Sequence, residues 1–320
     1  MLNTSKYFRI SITNKCNYTC YYCHHEGNYS ESNFLLTPQD LYFICQIALE
    51  NGFTKFKLTG GEPTVRQDIC EIIKEISSLN LPDLSMITNG TRLTEMSKSL
   101  WDVGLHRLNV TVNTINPNRL AKIQLGNKFK QSKTDVTRYE SIIKKVISGI
   151  EEAQHVGFKN IKLNFVYFDD NSKYDLEEVL EFSKLYNCIV VLLPILDEKS
   201  YSLKYLYKFI QKFDITKEEL VIDDEGIQKK LLYLKNGARI LLRLDEINYY
   251  KPYVFCNECS NTKQCREGIF PIRLSSDGKL IPCMANQEHR IDIVEFTKNR
   301  DRKSLNDAFN TIKGWHKIDE

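Results

Sequence analysis

No stretch of this sequence approaches the ~18–20 consecutive apolar residues that a membrane-spanning helix needs. The amino-terminal MLNTSKYFRISITNKC also lacks the apolar core of a secretion signal. Both absences argue against membrane insertion or export, and the expected location is the cytosol. An excess of charge of one sign is missing as well, since 44 Lys and Arg stand against 41 Asp and Glu and the net charge is +3. A dedicated nucleic-acid binder carries a strong basic bias, so no nucleic-acid partner is expected and electrostatic recognition must be local. Solenoid repeats and low-complexity linkers are absent from the 320 residues. That length exceeds the ~100–200 residues of one typical domain, so one large domain, or one with an appendage, is expected.

Cysteine is plentiful, with ten in the chain. A compartment that keeps thiols reduced disfavours a disulfide framework and directs clustered cysteines towards metal or catalysis. Cys16, Cys20 and Cys23 form one cluster; Cys256, Cys259, Cys265 and Cys283 form another; Cys45, Cys70 and Cys188 stand alone in apolar stretches. The three single residues read as core packing, the common fate of a free cysteine.

Strand-like runs start at Phe8, Lys55, Leu84, Arg107, Asn160 and Cys188, with helical stretches between them. One such stretch opens at Thr37-Pro38-Gln39-Asp40 and closes at Asn51-Gly52, a start and stop with the right capping chemistry. Alternating β and α elements predict an α/β fold with a parallel sheet and right-handed crossovers, open or barrel-like. The pattern changes near Ser202, which divides the chain into 1–201 and 202–320. Beyond it, KFDITKEELVIDDEGIQKKLLYLKNG is charged and reads as helical, ARILLRL reads as a strand, and the cysteine-rich tail follows. Gly126 to Arg138 is polar and poorly periodic and reads as a long loop, either bordering a functional mouth or simply solvated.

The Cys-x3-Cys-x2-Cys segment directly follows the first strand. Three thiolates make an incomplete cage for zinc, which takes four ligands and could recruit His24 or His25. An iron–sulfur cube held by three cysteines leaves one iron open to another molecule. The second strand runs into Gly60-Gly61-Glu62-Pro63, where a glycine pair permits close backbone approach and a carboxylate can accept from an ammonium group. The third strand ends in Thr88-Asn89-Gly90 and the fourth carries hydroxyls and an amide at its end. In parallel α/β architectures ligands bind at the carboxyl ends of strands, so these groups converge on one face.

The ordered set CNYTCYYC, TGGEP, TNG and NVTVN resembles the radical S-adenosylmethionine (SAM) enzymes over about residues 6 to 200. The resemblance implies a partial (β/α)6 barrel in which Cys16, Cys20 and Cys23 hold a [4Fe–4S] cluster whose open iron binds SAM. It also implies that Tyr22 lies near the adenine, that Glu62 holds the methionine ammonium beside Gly60 and Gly61, and that Thr88 and Thr111 contact the methionine or ribose part. An electron from the reduced cluster then cleaves SAM to a 5′-deoxyadenosyl radical, which abstracts hydrogen from carbon. An external electron donor such as flavodoxin or ferredoxin is implied.

Four cysteines at the second cluster would suit zinc. However, Cys265-x12-Gly278-x4-Cys283 resembles the hairpin of auxiliary-cluster (twitch/SPASM-like) domains in this superfamily, so an auxiliary [4Fe–4S] cluster is the preferred expectation. FRISITNKCNYTC, KFKLTGGEPTVRQD and RLSSDGKLIPC further resemble the GTP 3′,8-cyclases of molybdenum-cofactor biosynthesis. The departures are an extra Cys265, a Lys317–Glu320 ending in place of a Gly-Gly tail, and no arginine near Val191 or at Pro271. With Cys256, Cys259 and Cys283 as the cyclase-type ligands, Cys265 would close the cluster. Arg9, Lys55, Lys57, Lys162 and Arg273 match basic residues of the cyclase triphosphate pocket, or else form an internal ion-pair network.

The leading expectation is a radical SAM enzyme acting on an anionic small molecule, nucleotide- or sugar-phosphate-like, but not the cyclase itself. The alternative enzyme cross-links or epimerises a ribosomally made peptide. Against it, the first strand begins near Phe8 and leaves no room for an amino-terminal leader-recognition domain. A zinc- or iron-binding interaction protein is the non-enzymatic alternative, and it would make Glu62, Thr88 and Thr111 coincidences.

Overall fold

The computed structural model describes residues 7–27, 34–126, 135–195, 203–222, 228–243, 253–259, 272–284, 286 and 288–315. The chain alternates as expected through β1 (Tyr7–Ser11), α1 (Pro38–Glu50), β2 (Lys55–Thr59), α2 (Ile69–Ser77), β3 (Asp83–Thr88), α3 (Leu93–Asp102) and β4 (Arg107–Thr111). It continues with α4 (Pro117–Leu125), α5 (Val136–Val156), β5 (Lys162–Tyr167), α6 (Ser172–Leu185), β6 (Ile189–Pro194) and α7 (Leu203–Ile210). Six neighbouring parallel strands, β1 to β6, form the core of the sheet. Their even-numbered or odd-numbered apolar partners, such as Phe8, Ile10, Phe56, Leu58, Met86, Val110, Leu163, Phe165, Val190 and Leu192, are buried under the helices. The opposite faces of the same strands carry the polar side chains, because a strand alternates sides at every residue.

Capping fixes where the helices begin. Thr37 and Asp40 form a reciprocal capping box at α1, with Pro38 in the first turn. Asn116 caps α4 and Asp135 caps α5. Among the single cysteines, Cys45 and Cys188 are buried and Cys70 packs partly buried against the core, as read from the sequence.

The chain beyond residue 202 extends both edges of this sheet. β9 (Arg239–Arg243) lies parallel to β6 and is followed outward by β8 (Gln228–Leu234) and β7 (Ile215–Ile222). At the other edge β10 (Ile272–Leu274) lies parallel to β1, followed by β11 (Lys279–Ile281) and β12 (Ile291–Asp292), giving twelve strands in one sheet among the described residues. α8 (Val294–Lys298) and α9 (Arg302–Gly314) are the last described elements. α9 packs onto the outer face of β1, where Phe309 meets Phe8 and Phe53 with ring centroids 5.6 Å apart in both pairs.

One element differs from the sequence reading: ITKEELVI and QKKLLYL form an antiparallel ribbon, where helix was expected. The charges suggested helix, yet across the ribbon they pair as strand neighbours. Lys230 Nζ donates to Glu218 at 2.8 Å, Tyr233 Oη to Glu219 at 2.9 Å, and Lys217 lies over the Tyr233 ring. ARILLRL is a strand, as expected. The Ser202 boundary, residues 127–134 of the polar loop, Cys265 and Pro271 lie outside the described residues.

Candidate active site

The first cysteine cluster sits on the loop leaving the carboxyl end of β1, with Cys16 and Cys23 exposed and Cys20 half-buried. The glycine pair holds this loop in place. Gly61 N–H donates to Thr13 O at 2.8 Å and Glu62 N–H to Lys15 O at 2.9 Å, so two backbones run side by side. A Cβ on Gly60 would stand 2.3 Å from Thr13 O and one on Gly61 2.2 Å from Lys15 O, so both positions require glycine. Gly60 also has φ +132°.

Glu62 is 1% exposed, and its carboxylate is surrounded by donors. Thr64 Oγ1 donates at 2.6 Å, Thr64 N–H at 3.1 Å, Thr88 Oγ1 at 2.7 Å and Asn89 N–H at 2.6 Å. Burial pushes its pKa up against the pull of these bonds. Thr88 thus reaches the site by orienting Glu62, and it accepts from Gly90 N–H in turn. Asn89 Nδ2 donates to Asn17 Oδ1 at 2.6 Å, and Asn17 Nδ2 donates to Thr91 at 2.9 Å, tying the cysteine loop to the end of β3.

Tyr22 is held from two sides. Its hydroxyl accepts from Asn113 Nδ2, and its ring stacks on Phe168 with centroids 5.1 Å apart. Asn113 Oδ1 accepts from Val166 N–H at 2.7 Å, and Arg119 lies 5.2 Å over the Phe168 ring while pairing with Asp169 and Asp175. Tyr18, Cys20, Tyr22 and Thr111 line a common crevice with Asn113. Asn113 and Phe168 were not singled out in the sequence. Asn113 stands in the NVTVN segment that marks the strand end, whereas Phe168 carries no local signal.

The thiols of this loop fit an iron–sulfur cluster by their chemistry. Tyr18 N–H donates to Cys16 Sγ at 3.3 Å and His25 N–H to Cys23 Sγ at 3.4 Å, and such bonds stabilise charged sulfur. Desolvation raises the pKa of the half-buried Cys20 to about 12, with repulsion from Cys23 and Cys16 adding to it. Among the described residues no three His, Cys, Asp or Glu side chains converge as they would around one metal ion, Cys16, Cys20 and Cys23 included.

Below the cysteine loop the sheet's inner face is basic. Arg9 is in register with Arg273 on one side and with Lys57 on the other, so these three side chains project to the same face. Lys55 lies one pleat lower, level with Tyr7 and Asp83. Lys162 is opposite Asn109, which bonds Asn164 at 3.0 Å. Burial, then repulsion from Arg9, Arg107 and Lys229, brings the Lys57 pKa down to about 7. Burial, then Arg107, Lys57 and Lys229, brings Lys162 down to about 8. The structure therefore brings Arg9, Lys57, Lys162 and Arg273 to one lumen. It adds Arg107, paired with Asp83, and Lys229 from the ribbon that had been read as helix.

Of the second cluster, Cys256, Cys259 and Cys283 are described and all are half-buried. An aromatic stack supports the segment bearing Cys256. Tyr253 stacks on Phe255, Phe255 on His289 at 4.1 Å, and Val254 N–H donates to Trp315 O at 2.8 Å at the end of α9.

The model of the Radical SAM superfamily matches residues 10–183. The chain belongs to the radical SAM superfamily. Curated relatives named probable GTP 3′,8-cyclase are similar in sequence. The protein of Methanocaldococcus jannaschii is 32% identical over 291 residues, covering 89% of this chain and 87% of its own. That of Metallosphaera sedula is 32% identical over 302 residues, covering 92% and 85%. Among solved structures, Streptococcus suis SuiB bound to precursor peptide SuiA matches with a TM-score of 0.61 at 16% identity, over 97% of this chain and 66% of that one. This chain thus spans a little under two thirds of that structure's length. Native anSMEcpe with bound AdoMet matches with a TM-score of 0.57 at 16% identity, over 97% and 84%. At these identities the likeness concerns the fold, a mixed α/β partial barrel.

The expected superfamily, enzyme class and barrel are therefore borne out. As a radical SAM enzyme the protein uses a [4Fe–4S] cluster and SAM, cyclase-type members carry a further iron–sulfur cluster, and turnover requires a reductant and a substrate. Among the described residues no helix is long and apolar enough to cross a membrane.

Proposed function

We propose that this enzyme abstracts hydrogen from an anionic small molecule, nucleotide- or sugar-phosphate-like, in a reaction related to but distinct from that of GTP 3′,8-cyclase. The supporting observation is the face shared by Arg9, Lys57, Lys162 and Arg273 beneath the cysteine loop, where burial and mutual repulsion lower both lysine pKa values and a bound anion would relieve that repulsion. The chain also lacks the arginine that the cyclase type has near Val191.

In this reading Cys16, Cys20 and Cys23 ligate the SAM-binding cluster. Glu62, preorganised by Thr64, Thr88 and Asn89, receives the methionine ammonium at Gly60 and Gly61. Tyr22 borders the adenine, and Thr111 faces the ribose or methionine part. When bound, the reduced cluster supplies the electron that splits SAM. The chain's own residues orient SAM, exclude water and hold the substrate's anionic end below it. Cys256, Cys259, Cys265 and Cys283 ligate an auxiliary cluster, residues 1–201 form the barrel and 202–320 its extension, and a cytosolic flavodoxin or ferredoxin is the reductant.

The test is anaerobic reconstitution followed by reduction in the presence of SAM. We expect 5′-deoxyadenosine, iron near eight per chain for two four-iron clusters, and binding of inorganic triphosphate that weakens with salt. Alanine at Lys57 or Lys162 should weaken that binding by ~1–3 kcal/mol each, as for charged hydrogen bonds. Triphosphate affinity that is insensitive to both salt and these substitutions would remove the anionic-substrate reading while leaving the superfamily chemistry intact.

A further inference from the structure

Arg9 and Arg273 are register partners on adjacent parallel strands, so two guanidiniums leave the sheet side by side where like charges repel. The carboxylate of Glu26 stands between them. Its Oε1 accepts from Arg9 Nη2 at 2.5 Å and from Thr59 Oγ1 at 3.1 Å, and its Oε2 lies 3.9 Å from Arg273 Nε. The side chains of Glu26 and Arg273 are 12% and 4% exposed. Burial alone would raise the Glu26 pKa, but Arg9, His24 and Arg273 outweigh it and hold the carboxyl at about 2.

Glu26 arrives there from the cysteine loop, three residues after Cys23, by a costly path. Both His25 and Glu26 adopt left-handed backbone, with φ of 49° and 54°, a conformation that non-glycine residues avoid. The ion pair offsets that strain. Arg9 Nε, though buried, makes no hydrogen bond among the described residues, so a donor remains beside the carboxylate.

We infer that Glu26 is a specificity-determining residue of the lumen, an internal carboxylate that occupies Arg9 and Arg273 until a multiply charged anion displaces it. This rests on the anionic-substrate reading above. A singly charged group would exchange one carboxylate-like partner for another with little net attraction. A polyanion brings enough charge to take both arginines and to reach Lys57 and Lys162, and its entry frees the 25–26 backbone to relax. The enzyme thereby favours polyphosphate-bearing substrates over monoanions.

The experiment is calorimetric titration of the reconstituted, SAM-loaded protein with inorganic triphosphate and with orthophosphate. The wild type should bind triphosphate and prefer it over orthophosphate. Glu26→Gln should bind orthophosphate about tenfold more tightly than the wild type and so narrow that preference, whereas Glu26→Asp, which keeps the charge, should retain it. Thr59→Ala frees the carboxylate without changing charge. It should move orthophosphate affinity in the same direction by a smaller factor, and it carries the test if Glu26→Gln fails to load iron. Unchanged or weaker orthophosphate binding in both Glu26→Gln and Thr59→Ala, with triphosphate still bound, overturns the role of Glu26 alone. Absence of binding by either anion to the wild type and the variants overturns the anionic-substrate reading and this inference with it.

Discussion

Lys57 keeps its ammonium in a lumen shared with Arg9, Arg107 and Lys229 and only partly relieved by Asp83. Burial and that repulsion set its pKa at about 7, well below the ~10.4 of an unfolded lysine. Between these two values the unfolded chain binds a proton that the native chain lacks, so stability rises with pH across that window. Below about pH 7 the charged form is present in both states, and the destabilisation is largest. A bound anion favours the charged form, so binding takes up protons and weakens as pH rises from 7 to 9. Lys162, at about 8, works in the same direction. Triphosphate affinity should fall several-fold across that range in the wild type and less in Lys57→Arg, whose guanidinium stays charged. Calorimetry in buffers of different ionisation enthalpy measures the proton uptake, and a wild-type affinity independent of pH would contradict this account of the lumen.

The turn leaving β2 joins the sheet to the cysteine loop through backbone hydrogen bonds. Because a Cβ on Gly61 would stand 2.2 Å from Lys15 O, Gly61→Ala must push that loop away and break the paired hydrogen bonds. The expected result is selective: iron falls from about eight to about four per chain as the first cluster is lost and the carboxyl-terminal one persists. Retention of full iron by the Gly61→Ala protein would show that the loop docks by other means. Thr37→Ala at the capping box of α1 is a contrasting change, expected to cost ~1 kcal/mol in denaturant unfolding without altering iron content.

One sheet joins all the described strands. β9 covers the edge of β6 and β10 covers the edge of β1, while Phe309 of α9 packs on Phe8 and Phe53. Arg300 bonds Asp40 at 2.8 Å and Arg302 bonds Glu50 at 2.7 Å, further anchoring the tail to α1. Calorimetric unfolding of the full chain should therefore show a single cooperative transition. A fragment ending at residue 201 should be insoluble or poorly folded, because two strand edges and the apolar face of β1 become exposed. Two separate transitions, or a stably folded fragment, would show that the tail is an independent body.

From the sequence alone the barrel's element order and the local course of the cysteine loop were legible. Strand alternation, the capping chemistry at Thr37, the spacing of Cys16, Cys20 and Cys23, and the Gly60-Gly61-Glu62 turn are all local patterns whose physical cause lies within a few residues. The ribbon of β7 and β8 was not legible, because its charges make sense only once Lys230 reaches Glu218 and Tyr233 reaches Glu219 diagonally across it. Nor were Asn113 at Tyr22, Lys229 in the lumen, or Glu26 between Arg9 and Arg273, since chain order says nothing of which side chains a curved sheet brings to one point. Local spacing determined the superfamily. Tertiary structure decided how charge is distributed on the sheet, because electrostatic neighbours depend on distance in space and not along the chain.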